Sequence, residues 1–175
     1  LAKAYECIHG EPAPMMASML SLIEAGESGL IAAGELTDVP PAEALVSRDT
    51  VKLLAPLPRP VQLLDFMAFE GHARGAREVH FRKSANRKPD PEAAMEEYRR
   101  RGQLDPPPVW FKQPVYFKGN RMNVVGPDAD IVYPSFTKEL DYELELAIVI
   151  GRKGVDIAEA DARAYIFGYT IFNDV

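Results

Sequence analysis

Glu143 and Glu145 stand one residue apart in the run D-Y-E-L-E-L-A-I-V-I. The run alternates as a strand does, so Tyr142, Leu144, Leu146 and Ile148 share one face while Glu143, Glu145, Ala147 and Val149 share the other. Both carboxylates then point the same way, on a face that turns apolar at Ala147 and Val149. Two like charges beside a low-dielectric wall are unfavourable unless a cation stands between them. A hard divalent ion held by oxygen ligands, Mg²⁺, Mn²⁺ or Ca²⁺, is the simplest such cation. The competing reading is an E-x-E on the solvated face of an edge strand. Two more carboxylates close strand-like runs: Asp65 ends V-Q-L-L-D, and Asp174 ends I-F-G-Y-T-I-F-N-D. His72 follows Asp65 by seven residues in D-F-M-A-F-E-G-H. Each has an ordinary structural reading by itself, as a cap for Asp174 and as a packed or surface histidine for His72. Taken together, Asp65, Glu143, Glu145, Asp174 and His72 fit oxygen-rich ligation of a metal with a base beside it.

These residues need elements to hold them. Met15, Met16, Met19, Leu20, Leu22 and Ile23 recur at helical spacing and predict an amphipathic helix over 14–25, a methionine stripe suited to packing. D-V-P-P-A-E-A-L is a connector, Val51 to Leu54 an extended run, and prolines 56, 58 and 60 a stiff linker. Residues 1–55 are therefore expected to be a small N-terminal domain, and 56–175 a second one. In the second, V-Q-L-L-D-F reads as a strand and Phe69 to Glu78 as a helix start. The stretch 82–91 reads as a polar loop, and 92–102 as a helix stopped by Gly102. Beyond D-P-P-P the runs V-W-F, V-Y-F and I-V-Y read as short strands ahead of the E-x-E strand. A short helix over 157–164, capped by Asp156, leads to a last strand from Ile166. The fold class expected is α+β, mostly β.

Composition narrows the partners. Net charge is −6, which disfavours a nucleic-acid partner, and no apolar run has the length of a membrane span. The single cysteine, Cys7, cannot form an internal disulfide, so a reducing cytoplasm is the expected compartment. The chain opens at Leu1 and stops at Val175 directly after a strand-like run, and it reads as a piece of something longer.

The blocks D-F-x-x-F-x-x-H, P-V-Y-F-K-G-N, L-D-Y-E-L-E-L-A-x-V-I-G and I-F-G-Y-T-I-F-N-D-V, in that order, resemble the fumarylacetoacetate hydrolase family over Val61 to Val175. The resemblance implies a rolled, barrel-like mixed β-sheet as the catalytic domain, of which 56–175 would be the N-terminal portion. It also implies a homodimer and a Mg²⁺ or Ca²⁺ ion bound by Glu143, Glu145, Asp174 and Asp65. His72 would activate water. The activity implied is metal-dependent hydrolysis of a carbon–carbon bond in a 1,3-dicarbonyl or acylpyruvate-type 2-oxo acid. Decarboxylation, dehydration or isomerisation of a 2-oxo acid uses the same metal-enolate chemistry, and a metal-braced binding domain is the non-enzymatic alternative. Two positions depart from the family pattern: Gly75 stands where a glutamate pairs with the histidine in one branch, and Met67 where fumarylacetoacetases carry a substrate-touching tyrosine.

Overall fold

The computed structural model describes residues 1–175. In chain order the regular elements are α1 (Ala2–His9), α2 (Met19–Glu24), α3 (Gly26–Asp38), β1 (Leu64–Phe66), α4 (Glu70–Ala85), α5 (Pro91–Arg100), β2 (Tyr116–Lys118), β3 (Glu143–Ile150) and β4 (Ile166–Asp174). Helix and strand are mixed, and the strands form two separate antiparallel pairs, β1–β2 and β3–β4. The chain divides into two compact units, Leu1–Pro58 together with Val125–Val175, and Arg59–Val124.

In the first unit, the methionine stripe does not form one helix. Pro14–Met16 make a 3₁₀ turn, and Ser18 then adopts an extended φ of −153° and caps α2, its hydroxyl accepting from the Ser21 N–H at 3.0 Å. Serine serves better as a cap than in a helix interior, because its oxygen satisfies an otherwise orphaned N–H. Ala4, Met16, Leu22, Ala33 and Leu36 are buried together, and Phe167 of β4 packs against them. Gly29 permits the approach of α3 to α2, since a Cβ there would sit 2.8 Å from that of Ala25. β3 and β4 pair from Glu143↔Asp174 to Val149↔Gly168, and a register shift between Val149 and Ile150 then matches Ile150 to Ile166. The unmatched residue is Phe167, so the bulge falls at the side chain that reaches the helical core.

The second unit places a three-residue sheet beside a helical hairpin. β1 and β2 pair as Leu64↔Lys118, Asp65↔Phe117 and Phe66↔Tyr116. The ladder runs on at both ends through Met67 N–H to Val115 O at 3.0 Å and Gly119 N–H to Leu63 O at 3.1 Å. α4 starts as expected but runs on to Ala85, so the loop read over 82–91 shrinks to 86–90. Asp90 caps α5, accepting from the Ala93 N–H at 3.0 Å, and Pro91 occupies the first turn, where no N–H is needed. The Phe81 and Tyr98 rings lie 4.8 Å apart across the hairpin, and Ala73, Ala85 and Met95 are buried.

Helix outweighs strand, contrary to the mostly-β expectation. V-W-F forms the 3₁₀ turn Pro108–Phe111, because Pro107 and Pro108 fix φ and give up two N–H donors that a ladder would use. I-V-Y, closed by Pro134, pairs with nothing. The helix expected over 157–164 is a 3₁₀ stretch, Glu159–Tyr165, preceded by Ala158, and Asp156 has φ +52° where a helix cap is extended.

Candidate metal centre

The β3–β4 ladder sets the acidic residues. Residues directly opposite in an antiparallel pair project to the same side. Glu143 faces Asp174, Glu145 faces Phe172, and Ala147 faces Thr170, so Glu143, Glu145 and Asp174 occupy one sheet face at one end of the ladder. Carboxylate oxygens of Glu145 and Asp174 come within 4.8 Å of one another. Glu145, Ala147, Val149 and Phe172 are half-buried on this face, while Glu143 and Asp174 at its end are exposed. The strand alternation read from the sequence is therefore correct, and it brings the E-x-E and the N-D blocks to one edge.

The opposite face carries Leu144, Leu146, Ile148, Tyr169 and Ile171, all exposed. Gly151, just after β3, comes close to the bulge: its N–H donates to Tyr165 O at 2.8 Å, and a Cβ would meet that of Phe167 at 2.9 Å. That close crossing anchors the far end of the ladder, so the acidic end is the free end.

Like charges placed directly opposite on a sheet destabilise it. Glu143 and Asp174 are such a pair, with Glu145 on the diagonal. Oxygen-only donors of negative charge are what a hard divalent ion requires, and a half-buried member strengthens the interaction with one. The donor set fits a divalent metal.

The remaining candidates belong to the second unit. Asp65 is half-buried on β1, where the ladder pairs it with Phe117. His72 lies in the first turn of α4 and is exposed. α4 is anchored behind it by Arg74, which donates to Glu70 at 2.7 and 2.9 Å and pairs with Asp105, and by Arg77, which donates to Gln103 O at 2.6 and 2.9 Å. Gly75, one turn along from His72, has open space around it. The same unit holds a cleft of about 350 Å³ whose lining includes Phe66, Met67, Trp110 and Val115. Reading V-W-F as a strand hid that cleft, and its only sequence signal is an aromatic pair among prolines.

Known proteins agree with this arrangement. The model of the fumarylacetoacetate (FAA) hydrolase C-terminal domain matches residues 78–175, a range that contains Glu143, Glu145 and Asp174. The chain belongs to the fumarylacetoacetate hydrolase family. It is similar to the oxaloacetate tautomerase fahd2, mitochondrial, of Xenopus laevis, with 31% identity over 158 residues, 90% of this chain and 40% of the relative. It is also similar to the oxaloacetate tautomerase FAHD2B, mitochondrial, of Homo sapiens, with 42% identity over 64 residues, 37% of this chain and 20% of the relative. The fumarylacetoacetate hydrolase domain-containing protein 2 homolog of Dictyostelium discoideum is 41% identical over 64 residues, 37% of this chain and 21% of the relative. The chain thus spans a fifth to two fifths of the length of these relatives.

Proposed function

We propose that this chain supplies the metal-binding part of an enzyme that draws a 2-oxo or 1,3-dicarbonyl acid through its enolate. The observation that carries this reading is the convergence of Glu145 and Asp174 on one sheet face with Glu143 beside them. Asp65 joins them as the fourth carboxylate, and Mg²⁺, Mn²⁺ or Ca²⁺ is the ion. When bound, such an ion polarises the substrate's oxygens as a Lewis acid and favours the enolate. The carboxylates hold it and hold each other apart from direct repulsion. His72 is the proton carrier: an exposed imidazole on a well-anchored helix takes a proton near neutral pH and returns it.

Keto–enol tautomerisation, the activity in the names of the frog and human relatives, needs only these parts: His72 removes a proton from the carbon beside the carbonyl and delivers it to oxygen or back to carbon. Hydrolysis of a carbon–carbon bond is the second reading. The exposure of His72 favours it, because water has access to the base. There His72 takes a proton from water as its oxygen adds to the distal carbonyl, and the bond to the enolate carbon then breaks. The fold of the family's rolled sheet, a homodimer and a small N-terminal domain over 1–55 complete the proposal. An exposed lone cysteine, Cys7, suits a reducing compartment, either cytoplasmic or mitochondrial.

The test is to strip the purified protein with a chelator, add back Mn²⁺, and follow enol–keto conversion of oxaloacetate alongside acylpyruvate cleavage. Activity that returns only with the ion supports the reading. Full turnover in metal-free protein removes it.

A further inference from the structure

We propose that the cleft of the second unit receives an apolar arm of the substrate, so that the preferred substrates are 2-oxo acids with a bulky alkyl or aryl arm. This rests on the enolate reading above and adds the substrate class. The ladder between β1 and β2 continues through the Met67 N–H to Val115 O bond. By alternation Met67 therefore projects to the same side as Asp65, two residues earlier, and Phe66 to the other. Met67 and Val115 both line the cleft, so it opens where the strand carrying Asp65 ends. Its walls are apolar: Phe66, Met67, Phe111, Trp110 and Val115, with Phe111 edge-on to Trp110 at 4.9 Å between ring centres. A volume of about 350 Å³ is at the small end of ligand clefts and suits an arm of a few carbons or one ring.

Charge agrees with an acid as the occupant. Lys112 is the only charged residue of the lining. The segment 59–124 carries thirteen Lys and Arg against eight Asp and Glu, whereas the rest of the chain carries seven against eighteen. An anion is drawn to the former, and a carboxylate that carries an apolar arm matches both the wall and the cation.

Trp110 is the only tryptophan of the chain, so its fluorescence reports the cleft alone. The purified protein, with and without Mn²⁺, is titrated with 2-oxoisocaproate, which has a branched alkyl arm, and with pyruvate, which has none. The expected result is a saturable change in Trp110 emission with 2-oxoisocaproate at roughly tenfold or more lower concentration than with pyruvate. Val115→Phe, which fills the cleft, erases that preference, and Met67→Ala, which widens it, keeps it; circular dichroism identifies a variant that has not folded, in which case the other decides. Equal response to the two acids, or none to either, overturns the arm site. Calorimetry of Mn²⁺ binding reads the metal separately: an arm preference without Mn²⁺ binding or metal-dependent turnover strikes the enolate reading instead.

Discussion

At the scale of single residues, the side chains that repel one another are the ones that bind. Replacing Glu145 by Gln, or Asp174 by Asn, removes a ligand charge and also relieves a like-charge contact on the sheet. The two effects have opposite signs in two measurements. Mn²⁺ affinity by calorimetry is expected to fall by about 100-fold or more, beyond the ~10–100-fold typical of groups that only orient ligands. Melting of the metal-free protein is expected to stay level or rise, by up to ~1 kcal/mol, the size of one cross-strand pair. A metal-free variant clearly less stable than its parent would show that these carboxylates brace the sheet through other bonds. His72→Gln separates base from ligand. Turnover is expected to drop about 10²- to 10⁴-fold with Mn²⁺ affinity unchanged; an equal fall in both would make His72 a ligand or a structural residue.

At the scale of elements, α4 and α5 form the frame that carries His72, and their joint can be loosened without touching any acidic residue. Asp90→Ala removes the cap of α5 and should cost about 1 kcal/mol. Met95→Ala empties a site that is 1% exposed and should cost roughly 2–5 kcal/mol, depending on how far α4 and α5 collapse. Chemical denaturation measures both, and the reverse order of the two costs would mean that the hairpin is held by its tip rather than its packing. What the sequence shows of these elements follows their physics. Alternation over 143–150 and 166–174 exposes β3 and β4, because period two is written in the side chains themselves. The start of α4 and the body of α5 are equally visible. Pro107 and Pro108 turn V-W-F into a 3₁₀ segment, since a missing N–H outweighs β propensity, and Ser18 splits the methionine helix by offering its hydroxyl as a cap. The partners of Asp65 and Phe167 are unreadable in advance. They depend on register across more than fifty residues and on one bulge, neither of which leaves a local mark.

At the scale of the molecule, the β3–β4 sheet has two unlike faces. One holds the carboxylates, and the other exposes Leu144 at 72%, Ile171 at 75% and their apolar neighbours. Such a patch should bind the dye ANS in the folded state. Leu146→Lys with Ile171→Lys, two residues paired across the ladder, should lower that fluorescence several-fold while leaving Mn²⁺ binding in place. Unchanged fluorescence in the double variant would place the dye elsewhere.

The bulge and Gly151 pin one end of the ladder, and the acids crowd the other. Repulsion therefore acts where the two chains can separate at least expense, like the open teeth of a zip whose slider is already seated. An empty site would fray only its last rungs. Amide hydrogens near Glu143 and Asn173 should then exchange quickly in metal-free protein and slow once Mn²⁺ is added, while those from Ala147 to Val149 keep one rate throughout. Uniform slowing along both strands would mean instead that the ion completes the sheet's folding rather than fastening its tip.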